Sequence, residues 1–354
     1  MFCPLSYFSS ITEKINFKLV LKYSGITEMK AVQVKEVGAP EVLCWQEVPE
    51  LPAPAAGQAR IKLMATGLNY IDVYLRSGTY LQAWAPPFIP GLEGAGIVEA
   101  VGEGVEIVKP GDRVAYYGVP GSYAEASNVP VDRLIPLPDN ITFEQGAAFP
   151  LQGITAQYLL HDYVTLKPGM TVLIHSAAGG LGLLCVQWAK RLGAQVIGTV
   201  STEAKAQAAE AAGADHIILY TQQDFVAETK RFTGDHGVEL VLDGVGKATF
   251  AGSLQAVATD GTVVSYGWSS GRPDPISPTD LIGRSLRVAG SDLANKAPTH
   301  DSLLRRANAL LEGIQAGWLH LQIDRVLPLQ DAAAAHRLLE GRATIGKVIL
   351  STNS

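Results

Sequence analysis

The run from Thr171 to Lys205 constrains this chain more than any other. It opens Thr171-Val172-Leu173-Ile174-His175-Ser176-Ala177-Ala178-Gly179-Gly180-Leu181-Gly182, an apolar, β-branched stretch that stops at a cluster of small residues. Leu183, Leu184, Val186, Trp188, Ala189 and Leu192 then recur at helical spacing until Gly193. Strand, glycine turn and helix in that order aim backbone N–H groups and the positive end of a helix at a phosphate. The letters fit the dinucleotide fingerprint as Ala177-x-Gly179-x-x-Gly182, with alanine at the first glycine position. Gly179 lets the backbone approach a pyrophosphate, Gly182 lets helix and strand pack closely, and Gly180 and Leu181 between them belong to the same cofactor set. Glycine-rich turns also end ordinary strands, but here the context is right on both sides.

Gln195–Val200 reads as the next strand, ending about 20 residues past the fingerprint, where an NAD site usually places an acid for the ribose hydroxyls. This chain has Ser201, Thr202 and Lys205 there instead. Hydroxyls and a cation suit a 2′-phosphate that an acid would repel, so NADPH is expected over NADH. In the competing reading Ser201 and Thr202 cap the next helix and Lys205 is solvated.

At 354 residues, 47% of them hydrophobic, the chain calls for two globular domains. Its 28 basic and 34 acidic residues leave a net charge of −6, against a nucleic-acid or anionic-membrane binder. Cys3, Cys44 and Cys185 show no metal-ligand spacing, and their scarcity suggests a reducing, cytoplasmic setting. No apolar run reaches spanning length. Residues 1–28 carry scattered aromatics and lysines without a regular pattern; they are expected to be a disordered N-terminal extension or the product of an upstream start, with a targeting peptide as the alternative.

From Met29 to about residue 150, short alternating segments separated by Gly and Pro predict an antiparallel β domain. A helical stretch from Phe143 through Tyr158 leads into the second domain. There, strands at Thr171–Ile174, Gln195–Val200, His216–Tyr220, Val238–Asp243, Gly261–Tyr266 and Leu286–Gly290 alternate with helices, including 224–232 and 247–257. That alternation predicts an α/β, doubly wound parallel sheet. After Ala294 the pattern is helix (301–313), strand (323–326), helix (331–340) and a last strand, Lys347–Leu350, expected to return to the first domain. The expected division is therefore 29–152, 153–294 and a return segment, 295–354.

Taken together, Gly67-Leu68-Asn69-Tyr70-Ile71-Asp72, Gly91-Leu92-Glu93-Gly94-Ala95-Gly96, Gly111-Asp112-Arg113-Val114, the Ala177–Gly182 turn and Gly341-Arg342-Ala343-Thr344-Ile345-Gly346-Lys347 resemble the zinc-free, ζ-crystallin-like NADPH:quinone oxidoreductases of the medium-chain dehydrogenase/reductase superfamily. The resemblance implies a GroES-like β domain and a Rossmann domain with the active site between them. Zinc-dependent relatives place a histidine before the glutamate of the second motif; this chain has Leu92, and the first cysteine ligand is replaced by Leu68-Asn69. Leucine cannot ligate zinc, so no metal is expected. Hydride delivery to an electron-poor acceptor then becomes the expected chemistry: a quinone first, an α,β-unsaturated ketone or aldehyde as the alternative. A non-catalytic, crystallin-like NADPH binder is the third reading.

The resemblance places Asn69 and Tyr74 near the nicotinamide as candidate catalytic residues; the bland readings are a turn asparagine and a core tyrosine. Asp72 is expected to hold the loop through backbone hydrogen bonds. Ser201, Thr202 and Lys205 would hold the 2′-phosphate, with Tyr220 near the adenosine. Val245, Tyr266, Gly267, Trp268, Ser269 and Leu293 would line the nicotinamide half, Tyr70 and Thr155 would also contact the cofactor, and Arg342 would approach the phosphates. Trp268 departs from the asparagine common in bacterial relatives, and Ser291-Asp292 replaces an Arg-Pro often found there. The histidines are expected to be structural or solvated. A homodimer pairing its sheets along the segment 260–287, with Thr262–Val264 as an exposed edge strand, is also implied.

Overall fold

The structure is a computed structural model that describes residues 27–80 and 84–352; the expected extension at 1–28 lies outside the described residues except for Thr27 and Glu28. The N-terminal part contains β1 (Glu28–Val34), β2 (Leu43–Pro49), β3 (Gln58–Leu68), helix α1 (Tyr70–Ser77), β4 (Glu93–Val101), β5 (Arg113–Tyr117), β6 (Ala126–Pro130) and β7 (Leu134–Pro136). Two helices follow, α2 (Phe143–Gly146) and α3 (Pro150–His161). The sequence suggested one helix here. Pro150 stands in the first turn of α3 and has no N–H with which to continue α2, so the stretch breaks in two.

Next come β8 (Thr171–Ile174), α4 (Gly180–Arg191), β9 (Gln195–Val200), α5 (Glu203–Ala211), β10 (His216–Leu219), α6 (Phe225–Phe232), β11 (Val238–Asp243), α7 (Phe250–Ala256), β12 (Val257–Ser265), α8 (Thr279–Ile282), β13 (Arg287–Gly290) and α9 (Leu293–Lys296). The six strands form one parallel sheet in the order β10-β9-β8-β11-β12-β13, the doubly wound arrangement. Its interior strands carry continuous buried runs, as parallel strands covered on both faces must. The order reverses between β8 and β11, which opens a crevice at their carboxyl ends.

The chain closes through α10 (His300–Gln315), β14 (Ile323–Pro328), α11 (Ala332–Glu340) and β15 (Lys347–Ser351). β15 pairs antiparallel with β3, Val348 opposite Leu68, so the last strand completes the sheet that the first segment began. A single apolar cluster joins the two sheets, from Ala65, Ala95 and Ile349 through Ile154 and Leu310 to Val172 and Leu242. The expected boundary at 152/153 falls inside α3, which packs on α4 and α10.

One expectation about the sheet edge is corrected. Thr262–Val264 is buried and bonded on both sides, to β11 and β13. The edge strand is β13, because the short Arg287–Gly290 segment adds one more parallel partner. No helix among the described residues is long and apolar enough to cross a membrane.

Candidate active site

The crevice holds a cavity of about 500 Å³. Among its walls are eighteen of the nineteen residues singled out from the sequence: Asn69, Tyr70, Tyr74, Thr155, Gly179, Gly180, Leu181, Gly182, Ser201, Lys205, Tyr220, Val245, Tyr266, Gly267, Trp268, Ser269, Leu293 and Arg342. The structure does not bring Thr202 in. Its exposed hydroxyl accepts from the Lys205 N–H at 3.4 Å and caps α5, as the competing reading held.

The floor of the crevice is the turn after β8. Ser176 takes a positive φ of 53°, and the chain then enters α4 with Gly179 as an N-cap that offers no side chain to the helix. The first bond of the helix is Leu183 N–H to Gly179 O (2.9 Å), so the N–H groups of Gly180, Leu181 and Gly182 precede the helical ladder. A Cβ on Gly182 would stand 2.3 Å from Ser176 O and 2.8 Å from Ala177 Cα, whereas one on Gly179 would meet only Ser176 O, at 3.2 Å. Gly182 is thus required for packing, and Gly179 leaves the turn open to a ligand. Gly346 N–H donates to Ala178 O (3.0 Å), clasping this turn with the segment that carries Arg342.

At the β9 side of the cavity, Lys205 Nζ donates to Arg342 O (2.7 Å). Burial, then the Arg342 charge, lower the pKa of Lys205, and the Asp324 carboxylate opposes them only in part.

At the other side, α1 is tied to the turn after β12. Trp268 N–H donates to the Tyr74 hydroxyl (2.9 Å), and the Tyr70 hydroxyl donates to Ser269 O (3.2 Å). The Tyr74 and Trp268 rings stack at 4.5 Å with 11° between their planes. Burial pushes the Tyr74 phenol well above its ordinary value, so it is protonated at neutral pH. Among the described residues that proton has no acceptor, and Tyr74 lines the cavity.

Sequence reasoning missed the buried group beneath Asn69. Glu93 and Lys347 form an ion pair at 2.6 Å, their side chains 0% and 2% exposed. Asn69 Nδ2 donates to Glu93 Oε2 (2.7 Å) and Gly67 O (3.3 Å); its Oδ1 accepts from Lys347 Nζ (2.6 Å) and Gln152 Nε2 (3.4 Å). Glu93 Oε1 accepts from Leu151 N–H at the start of α3 (2.6 Å). Both charged residues sit inside motifs already singled out, but their pairing over 254 positions has no local signal. Asp72 Oδ2 accepts from Asn69 N–H (2.8 Å), the loop-holding part expected of it. Burial pushes its carboxyl up to about 7, against the hydrogen bond and Lys347, which favour the charge.

His175 is buried, Nδ1 3.0 Å from Thr199 Oγ1 and Nε2 3.0 Å from Ser253 Oγ, and Ser253 donates to Asp243 (2.8 Å). The serine lies between acid and imidazole, so this is no nucleophile–base–acid relay. It fixes the ends of β8, β9 and β11.

Residues 55–139 match the alcohol dehydrogenase GroES-like domain, and 180–309 match the zinc-binding dehydrogenase domain. Quinone oxidoreductase 1 of Escherichia coli (strain K12) is 41% identical over 327 residues, 90% of this chain and 98% of that protein. A 2-haloacrylate reductase of Burkholderia sp is 38% identical over 327 residues with the same coverage. The crystal structure of the E. coli quinone oxidoreductase complexed with NADPH superposes with a TM-score of 0.87 at 39% identity, covering 91% of this chain and 99% of that one. This chain belongs to the quinone oxidoreductase family of the medium-chain dehydrogenases/reductases. Although the matched domain is described as zinc-binding, the residue before Glu93 is Leu92, and among the described residues no group of three or more His, Cys, Asp or Glu side chains could hold a metal.

Proposed function

We propose that this member of the family is an NADPH-dependent, metal-independent reductase of quinones. The observation that carries the reading is the single cavity that joins two cations, an uncapped helix N-terminus and the Tyr74 hydroxyl. The donor set fits the cofactor: Gly179 leaves space where a pyrophosphate needs it, and Lys205 supplies positive charge for the 2′-phosphate. Gly180, Leu181, Gly182 and Arg342 hold the pyrophosphate in this reading, Ser201 and Lys205 the 2′-phosphate, and Tyr220 the adenosine side. Tyr70, Thr155, Val245, Tyr266, Gly267, Trp268, Ser269 and Leu293 enclose the nicotinamide half.

Bound NADPH supplies a hydride, so that quinone, NADPH and one proton yield hydroquinone and NADP⁺. Tyr74 donates its hydrogen to the acceptor oxygen as charge develops there, and the Trp268 N–H aimed at the phenol oxygen stabilises the charge left behind. Asn69 is a positioning residue rather than a catalytic one. All four hydrogen-bonding positions of its amide are taken inside the protein, which leaves none for the acceptor. It links α1 to the Glu93–Lys347 pair and to Gln152.

The deciding experiment is NADPH oxidation against a panel of quinones and enones. Turnover with enones or acrylates alone would move the protein to the second reading, which the 2-haloacrylate reductase relative supports. NADPH binding without turnover of anything would leave the non-catalytic reading, which those relatives, named for reductase and oxidoreductase activities, do not support. Tyr74→Phe should lower turnover roughly tenfold or more while NADPH affinity changes little. An unchanged turnover would remove Tyr74 from the mechanism.

The same reading takes the chain as a cytoplasmic homodimer paired along β13, with the domain division 29–152, 153–294 and 295–354 as its working frame. Sedimentation giving a monomer at micromolar concentration would refute the dimer.

A further inference from the structure

The segment from Glu340 to Lys347 is bonded to both ends of α1 and to the cofactor side of the cleft. Glu340 is the last residue of α11, and its carboxylate accepts a bidentate pair from Arg76, Oε1 from Nη1 at 2.7 Å and Oε2 from Nη2 at 3.0 Å. Arg76 lies in the last turn of α1 with its side chain 2% exposed. At the other end of the segment, Lys347 Nζ donates to Oδ1 of Asn69, the N-cap of α1. The helix that carries Tyr70 and Tyr74 is thus held near its C-terminus by the first residue of the segment and at its N-cap by the last. Between these anchors, Arg342 O accepts from Lys205 Nζ (2.7 Å), and Gly346 N–H donates to Ala178 O (3.0 Å) in the turn before α4. An ammonium has three N–H donors, so Lys205 gives one to Arg342 O and keeps two for an anion. Ile345 N–H donates to Asp324 Oδ1 (2.9 Å), and Arg342 stands at a φ of 54°, a left-handed value that a residue with a side chain holds only when its surroundings impose it.

The Arg76–Glu340 pair is braced from behind. His336, one turn before Glu340, is buried, with Nδ1 3.5 Å from Arg76 Nη1 and Nε2 3.1 Å from the Tyr123 hydroxyl. Burial, then the Arg76 charge, push its pKa down to about 3, so it stays neutral and Glu340 is the group that balances Arg76. The same charges reach Tyr70: burial first, then Glu340, raise that phenol, and Arg342 and Arg76 oppose them.

We infer that Glu340 and Arg76 are positioning residues for Tyr74, and that the 340–347 segment carries occupation of the 2′-phosphate site to α1, so that this phosphate raises kcat as well as affinity. The inference rests on the reductase reading above. A cofactor group remote from the nicotinamide speeds turnover only where its contacts reach the reacting end. Here the path runs from Lys205 through the Arg342 carbonyl, Glu340 and Arg76 to α1. With NADPH bound, Lys205 is fixed between the phosphate and that carbonyl; with NADH the carbonyl contact alone remains. A shift of about 1 Å at a reacting group costs on the order of a hundredfold in rate, so a small tilt of α1 suffices.

The test measures kcat, extrapolated to saturation with NADPH and with NADH against one quinone, in the full-length protein, together with hydrogen exchange of the α1 amides in the two nucleotide complexes. In wild type kcat should be roughly fivefold or more higher with NADPH, and α1 should exchange more slowly in the NADPH complex. Glu340→Gln keeps the side-chain length and removes the charge. It should bring the kcat ratio to within about twofold of one and abolish the exchange difference, while the NADPH dissociation constant changes much less than kcat. Arg76→Lys keeps the buried charge but loses the fork, and should move the ratio in the same direction; it serves in place of Glu340→Gln should that variant fail to fold by circular dichroism. Lys205→Ala should collapse the ratio as well, and adding Glu340→Gln to it should lower the ratio no further. A purely structural pair lowers kcat equally with both nucleotides, so an unchanged ratio in the folded variants overturns the inference while leaving the quinone reading intact. Equal α1 exchange in the two wild-type complexes, which needs no acceptor, overturns it too. No turnover of any quinone by NADPH-bound wild type overturns the reductase reading itself.

Discussion

The two ends of the cleft are built differently. The end proposed for the phosphates is made mostly of backbone from one short run, Ser176–Gly182, and offers a helix N-terminus and the absence of side chains. The acceptor end is made of side chains brought from α1, the turn after β12, the loop after β13 and, underneath, Glu93 and Lys347. A site of the first kind is specified by neighbours in sequence, so one local motif reproduces it. A site of the second kind exists only when several distant segments have docked, and its energetics are dominated by what happens to buried polar groups.

That contrast gives a ranked set of expectations. The largest effect belongs beneath the acceptor end. Lys347→Met leaves Glu93 charged and unpaired in the interior and should lower folding stability by about 3–5 kcal/mol. Adding Glu93→Gln should recover much of the loss. Denaturant midpoints for the two variants settle it, and a single variant as stable as wild type would break the comparison.

A pH-dependent effect comes next. The Asp72 carboxyl is raised to about 7 when folded, while the unfolded chain releases that proton near pH 4. Between those values the folded state holds a proton that the unfolded state has lost, so the stability drawn from Asp72 is full below pH 4 and declines as pH rises toward 7. The decline amounts to at most roughly 4 kcal/mol. Asp72→Asn still accepts a bond from Asn69 N–H, and its melting temperature should fall less than that of wild type across this window. Parallel curves for the two proteins would contradict the shift.

At the cofactor end, Lys205→Ala should weaken NADPH binding by about 1.5–3 kcal/mol and NADH binding hardly at all. Calorimetric titration with both nucleotides reads this directly; equal losses would show that the lysine recognises no 2′-phosphate.

The smallest effect sharpens the comparison most. Thr202→Ala removes a cap outside the cavity, so it should cost about 1 kcal/mol of stability while leaving the NADPH-to-NADH preference unchanged. A change in that preference would return Thr202 to the cofactor site.

Much of this was legible beforehand where physics is local. β8 and α4 follow from a buried apolar run, small residues and a helical apolar stripe, and the missing acid after Val200 points to the 2′-phosphate without any tertiary contact. Pro150 marked the break between α2 and α3, yet the longer apolar period across it masked the break. Thr202 and Ser201 looked alike as hydroxyls after a strand. Only the direction taken by α5 made one a cap and left the other on the cavity wall.

By itself the sequence determined the doubly wound sheet, the glycine turn after β8 and the cationic residues near it, because hydrophobic periodicity and glycine placement act over a few residues. Tertiary structure alone decided that Lys347 neutralises Glu93, that Asn69 is consumed between them, and that β13 rather than β12 forms the edge. It also decided that Tyr74 keeps a free proton while Trp268 holds its oxygen. Those outcomes depend on which buried donors find which acceptors across hundreds of residues, and burial, which sets their cost, exists only once the chain has closed on itself.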